Sequence, residues 1–336
     1  MQIKNKKCLI IAEAGVNHNG ELDLALKLCD TAKEAGADVV KFQTWKTEKI
    51  ITQNVSQAEY QVTNTGIEET QYEMLKKLEL SYDDFRKIKK HCDEIGILFS
   101  STADEEESLD FLIELGIPFI KIGSGDIGNI PYLRYMGRKK MPIFLSTGMS
   151  SLADVDISIN ALREGGATDI SLLHCTTNYP CPYEDVNLRA MLTLQDAFHL
   201  PVGYSDHTMG KDVAISAVTL GASIIEKHFT LDCHMEGPDH AASTEPAEFA
   251  ELVKSIRRVE SFLGDGIKRA TVAEKEISKV VTKRIVASKV IECGEIFSEN
   301  NLCVKRNDVG MKASQWDLVI NRVANKMYAV DEGIVI

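Results

Sequence analysis

Eight apolar, strand-like runs in this chain end in residues that are polar and often ionisable: residues 8–13, 39–43, 97–102, 119–124, 143–146, 170–177, 202–207 and 224–228. Helical patterns lie between them. Phe85, Ile88, Cys92 and Ile95 form one apolar stripe that stops at Gly96, and Leu152, Val155, Ile159 and Leu162 form another that stops at Gly165-Gly166. Leu22, Ala25, Cys29 and Ala32 line a third, and Pro246 opens a fourth carrying Phe249, Leu252, Val253 and Ile256. Strand, helix, glycine, strand, repeated, requires parallel pairing through right-handed crossovers. Eight such units predict a (β/α)8 TIM barrel, whose active site sits at the C-terminal strand ends. The polar residues fall at those ends.

The rhythm changes after Gly264-Asp-Gly266. A charged stretch is followed by short strand-like pieces separated by turn residues, without a long amphipathic helix. The expected division is a catalytic barrel over 1–266, a linker over 267–282 and a small, mostly β domain over 283–336. One barrel connection is unusually long, from Trp45 to about Ser81, and is expected to be a βα loop that covers a substrate.

The net charge of −12 argues against nucleic acid and an anionic membrane surface as partners. It leaves room for a small anionic substrate, because exposed charges are screened beyond roughly 8 Å in physiological salt. No run approaches the roughly 18 apolar residues of a membrane span, and the run after Lys4, Lys6 and Lys7 is too short for a signal peptide. The eight cysteines include no CxxC pair and read as buried small hydrophobes. A cytoplasmic location is expected.

Strand alternation sorts the polar ends. Residues i and i+2 share a face, so Lys41 with Gln43, Ser205 with His207, and Glu226 with His228 point together, toward the barrel mouth. His207 and His228 end neighbouring strands and form a candidate divalent-metal pair, with Asp206 and Glu226 as candidate acceptors that orient the rings. Lys41 and Lys121, with the hydroxyls of Thr102, Ser124, Ser146 and Ser205, suit a phosphate or carboxylate. Gly123 and Gly125 would let backbone N–H groups approach such an anion, as a nest does. Glu13, ending the first strand, is the candidate carboxylate for proton transfer or for stabilising a cationic centre. His18 and His240 fall in loops near the mouth.

These residues, in this order, resemble the N-acetylneuraminate (sialic acid) synthase family, which includes legionaminic acid synthases. The matching segments include Ala12-Glu-Ala-Gly-Val-Asn-His-Asn-Gly20, Lys41-Phe-Gln-Thr44, Lys121-Ile-Gly-Ser-Gly125, Gly203-Tyr-Ser-Asp-His-Thr208, Glu226-Lys-His-Phe-Thr230 and Gly237-Pro-Asp239. The C-terminal piece, with Gly294-Glu and Asn301-Leu-Cys-Val-Lys-Arg306, looks like the antifreeze-like (SAF) domain of that family.

The resemblance implies condensation of phosphoenolpyruvate with an N-acetylated aminosugar, giving a 2-keto acid and phosphate. N-acetylmannosamine, leading to N-acetylneuraminate, is the first expectation for the acceptor. The alternative is 2,4-diacetamido-2,4,6-trideoxymannose, leading to legionaminic acid. By the same resemblance, Lys41, Thr102, Lys121, Ser124, Ser146, Thr177 and Ser205 hold phosphoenolpyruvate, with Asn178 an alternative to Thr177. Gln43, Tyr179, Asp239 and Arg306 face the sugar, and His207 and His228 bind Mn2+ or Mg2+. Glu13 stabilises the oxocarbenium, and Arg306 reaches across a domain-swapped homodimer.

The chain departs from the family at Ala103-Asp104, Asp126 and Asn307-Asp308. Two competing readings carry less. A barrel that condenses phosphosugars needs an extra cationic clamp, and no arginine-rich motif sits at the strand ends. A non-enzymatic antifreeze-like or ligand-sensing protein would have no use for the retained Glu13, Lys41, Lys121, His207 and His228.

Overall fold

The eight strands are β1 (Leu9–Gly15), β2 (Val39–Thr44), β3 (Leu98–Ala103), β4 (Ile120–Ile122), β5 (Ile143–Ser146), β6 (Ile170–His174), β7 (Val202–Asp206) and β8 (Ile224–His228). All pair in parallel with their chain neighbours, and β8 closes onto β1, so the sheet is a complete barrel without edges. This is the expected TIM barrel. The computed structural model describes residues 7–57, 62 and 66–336. The chain divides into two units, Met1–Gly264 and Asp265–Ile336.

Inside the barrel, Ile11, Val39, Phe119, Phe144, Leu173 and Ile224 form an apolar plug, with the Phe119 and Phe144 rings stacked at 4.2 Å. Two residues further along the same six strands stand Glu13, Lys41, Lys121, Ser146, Cys175 and Glu226, all buried. Alternation thus lays a polar layer directly on an apolar one. The low-dielectric floor is what gives the polar layer its electrostatics. The opposite strand faces pack on the helices through a second, larger core that includes Ile10, Val40, Phe99, Leu145 and Tyr204.

The helices follow local rules. Tyr82–Ile95 is capped by the Ser81 side chain, and Leu152–Gly165 by a Ser151–Asp154 capping box. Pro246 occupies the first turn of Pro246–Leu263. Where the helices Ile130–Arg138 and Leu152–Gly165 cross, a Cβ on Gly137 would stand 2.3 Å from Leu162 O and one on Gly165 2.4 Å from Arg134 O. Glycine at both positions lets the backbones touch.

The long connection after β2 is only partly a loop. It carries the short helices Thr47–Ile50 and Gln71–Leu78, and Met74 and Leu78 pack with Val16 and Trp45 in a satellite core. Residues 58–61 and 63–65 of the expected cover lie outside the described residues. The hydrophobic period of Gln71–Leu78 was short enough to pass for irregular chain.

In the second unit, β9 (Lys283–Ala287) and β10 (Leu302–Arg306) form an antiparallel pair over a core of Ile285, Ala287, Ile291, Phe297, Leu302, Val319, Ala324, Tyr328 and Ile334. Residues 267–282, expected to be a linker, contain the helix Val272–Val281, opened by a Thr271–Glu274 capping box. No helix among the described residues is long and apolar enough to cross a membrane.

Candidate active site

The strand ends surround a cavity of about 190 Å3 lined by Glu13, Lys41, Gln43, Thr102, Lys121, Ser124, Ser146, Thr177, Tyr179, Ser205, His207, Glu226 and His228 among others. All but two of the residues proposed for the site line it. Asp239 stands beside it on the loop after β8. The position of a Cβ on Gly15 would be 3.4 Å from Gln43 Nε2, 3.5 Å from Glu13 Oε1 and 3.9 Å from Asp239 Oδ2, which places these three side chains around one point. Arg306 belongs to the other unit, where it ends β10 opposite Lys283.

Two lysines and two glutamates form the centre. Lys41 Nζ is 2.7 Å from Glu13 Oε2 and 3.6 Å from Glu226 Oε2. Lys121 Nζ is 3.4 Å from Glu226 Oε1. Lys41 also donates to Thr102 Oγ1 at 2.9 Å, and Lys121 donates to Ser146 Oγ at 2.8 Å. Burial disfavours the Lys41 charge, but Glu13 and Glu226 overcome it and raise its pKa. The two glutamates separate. Burial, reinforced by the Glu226 charge, pushes Glu13 up to about 7 against the pull of Lys41. Burial also acts to raise Glu226, but Lys121, Lys41 and the Ser205 hydroxyl together bring it down to about 2. One carboxylate is permanently charged and the other is poised for proton transfer near neutrality.

Ser205 donates to Glu226 Oε1 at 2.9 Å, so it supports that carboxylate. Ser124 Oγ accepts the Gly148 N–H at 3.0 Å and lies 3.3 Å from Cys175 Sγ. A Cβ on Gly148 would be 2.3 Å from Thr177 Oγ1 and 2.8 Å from Ser124 Oγ, so this wall of the cavity closes only around glycine. Where Cβ atoms on Gly123 and Gly125 would stand there is open space, which leaves their backbone accessible to a ligand. Neither has the left-handed backbone of a nest, which corrects that expectation. Thr177 lines the cavity, while Asn178 is exposed and its N–H is bonded to Thr176 O.

His207 and His228 meet edge to face with ring centroids 5.5 Å apart, and Tyr179 packs on His207 at 4.2 Å. His207 Nδ1 is 2.7 Å from Thr176 O. A carbonyl can only accept, so Nδ1 carries the hydrogen and Nε2 keeps its lone pair. Burial lowers both imidazole pKa values, that of His228 to about 3 with the help of His207. Two neutral imidazoles at the mouth, one oriented by a backbone acceptor, fit a divalent cation.

The expected orienting role of Asp206 is not met. Its carboxylate binds Lys227 at 2.8 Å and the Thr208 N–H and hydroxyl, on the outward face of the barrel. Glu226 points inward but belongs to the lysines. His18 and His240 serve the mouth as scaffold: His18 Nδ1 accepts the Gly20 N–H, and His240 bridges Thr230 and Asn19.

Asp104 is a cavity residue that the strand-end reading did not assign. It directly follows β3, and burial together with Asp126 pushes its carboxyl up to about 7. Its only signal in the sequence is an acid one residue beyond a strand end.

The NeuB family model matches residues 28–268. The chain is 47% identical to an N,N'-diacetyllegionaminic acid synthase of Campylobacter jejuni, over 97% of this chain and 98% of that one. It is also 47% identical to the N,N'-diacetyllegionaminic acid synthase of Legionella pneumophila, over 92% of this chain and 88% of that one. Among solved structures, the N-acetylneuraminic acid synthetase of Leptospira borgpetersenii superposes with a TM-score of 0.72 at 34% identity, covering 81% of this chain and 90% of that one.

Proposed function

This chain belongs to the NeuB family, and on that premise we propose that it condenses phosphoenolpyruvate with 2,4-diacetamido-2,4,6-trideoxymannose and water to give N,N'-diacetyllegionaminic acid and phosphate. Synthases of this family join phosphoenolpyruvate to a sugar, so the reaction class rests on the family. The choice of acceptor rests on one observation, the 47% identity to two legionaminic acid synthases over nearly the whole chain. N-acetylmannosamine, the first expectation, has family-level support only.

The geometry suits the chemistry. Lys41 and Lys121 supply the cations for the phosphate and carboxylate, with Thr102, Ser124, Ser146, Thr177 and Ser205 around them. An arriving anion competes with Glu13 for Lys41. Glu13 is then set beside the carbon that becomes cationic when the enol attacks the aldehyde, where its ionised form stabilises the oxocarbenium and receives a proton from the adding water. Phosphate then leaves by C–O cleavage as the 2-keto group forms. Gln43, Tyr179 and Asp239 are placed to hold the acceptor, and His207 and His228 would hold a divalent ion. When bound, that ion, Mn2+ or Mg2+, would polarise the aldehyde oxygen. We further propose that the C-terminal unit is an SAF-type domain whose Arg306 serves the sugar site within a domain-swapped homodimer.

Phosphate release from phosphoenolpyruvate, Mn2+ and each aminosugar tests the proposal. The diacetamido-trideoxy sugar is expected to give a kcat/KM at least about 10-fold above N-acetylmannosamine, the scale set by roughly 1.4 kcal/mol of discrimination. Preference for N-acetylmannosamine would overturn the acceptor assignment, and no release with any sugar would overturn the reaction.

A further inference from the structure

The loop between β8 and the Pro246–Leu263 helix carries a second set of ligand-type side chains, which the reaction above does not use. Asp232, Cys233, His234 and Glu245 each offer one donor atom, and all four atoms lie within 4.8 Å of one another. Cys233 Sγ is 3.2 Å from His234 Nδ1, and His234 Nδ1 is 3.1 Å from Asp232 Oδ1. Donors held at about 2.0–2.3 Å from a tetrahedral ion stand roughly 3.3–3.8 Å apart. The Cys233–His234 and His234–Asp232 pairs need to open by only a few tenths of an ångström, and any wider pair within the 4.8 Å limit closes in by about 1 Å, to admit one.

Its backbone is already organised. The His234 N–H donates to Asp232 Oδ1 at 2.8 Å and the Cys233 N–H to Glu245 Oε1 at 3.1 Å. The base of the loop is fixed by Thr230 N–H to Thr244 O at 3.1 Å and Thr244 N–H to His228 O at 2.8 Å. The set thus offers two carboxylates, an imidazole and a thiol on a partly exposed loop, reachable from solvent.

We propose that Asp232, Cys233, His234 and Glu245 bind one zinc-type divalent cation, at a site separate from the His207–His228 pair. Thiolate and imidazole donors select zinc or cobalt over magnesium or manganese. The Cys233 thiol releases its proton to solvent as the sulfur–metal bond forms, so affinity rises with pH. The ion would tie residues 232–234 to 245 and close the segment that carries Asp239. It is a clip on the loop rather than part of the reaction.

Cobalt titration of the full-length, metal-stripped protein tests this. One equivalent is expected to produce a thiolate-to-cobalt charge-transfer absorption in the near ultraviolet, which zinc abolishes and magnesium leaves unchanged. The band should persist in a His207→Ala/His228→Ala double variant and vanish in Cys233→Ser. As an independent readout on the unmutated chain, zinc should slow alkylation of Cys233 at least about 10-fold, followed by peptide mass spectrometry. Absence of the band, its survival in Cys233→Ser, or alkylation of Cys233 indifferent to zinc would overturn the proposal.

Discussion

Glu13 and Lys41 stand directly opposite each other on β1 and β2, and their carboxylate and ammonium groups meet at 2.7 Å on the floor of the cavity. Both are almost fully removed from solvent. The pair is held in the resting protein, and under the proposed function it is the contact that an incoming phosphate or carboxylate would rearrange.

Replacing Lys41 by Met strips Glu13 and Glu226 of a shared cation. Breaking one side of a buried pair costs about 3–5 kcal/mol when the partner stays charged. Glu13 can escape by taking up a proton, so the loss should be smaller below about pH 7 than above it. Chemical denaturation at pH 6 and pH 8 checks this. Adding Glu13→Gln to Lys41→Met should restore much of the stability at pH 8 and none of the activity.

The pH profile should report Glu13. Its pKa is raised to about 7 by burial, and in the proposed reaction its working form is the carboxylate, so kcat/KM should fall as pH drops through that region. Glu226, held at about 2, stays ionised throughout, and His228, held at about 3, stays neutral. Asp104 shares the value near 7. An Asp104→Asn variant separates the two: the acid limb is expected to remain. Its disappearance would assign the limb to Asp104.

Substituting Ala for His207 should abolish metal-dependent turnover, a loss of at least about 100-fold in kcat, while far-ultraviolet circular dichroism stays unchanged. His207 sits above the apolar plug and adds nothing to it. Turnover that persists without added metal dependence would contradict the assignment.

Away from the site, Gly137→Ala places a Cβ 2.3 Å from Leu162 O. Overpacking of this kind costs about 1–3 kcal/mol. The thermal midpoint should drop by several degrees, roughly 2–4 °C per kcal/mol for a domain of this size, with kcat at low temperature unchanged.

Much of this was legible in the chain. The alternation that put Lys41 with Gln43 and Glu226 with His228 on one face holds in the barrel, and the same rule puts Asp206 on the other face with Lys227. That parity turns Asp206 away from the histidines. The acceptor that does orient His207, the Thr176 carbonyl, is a backbone group and has no residue-type signature. Asp104 escapes the strand pattern because it enters the cavity just beyond β3, where loop geometry and not a repeating pattern sets direction.

The sequence by itself determined the barrel and the inward set of polar side chains, because strand periodicity is a local property of the backbone that one chain segment can express alone. Only the tertiary structure decided which of those side chains share a proton or a charge. Closure of β8 onto β1 and the register of each strand pair bring Glu13, Lys41, Lys121 and Glu226 within ion-pair reach over an apolar floor. Burial there raises both of two chemically identical carboxyl groups, and the pull of Lys121, Lys41 and Ser205 on Glu226 leaves that one ionised and Glu13 poised near neutrality.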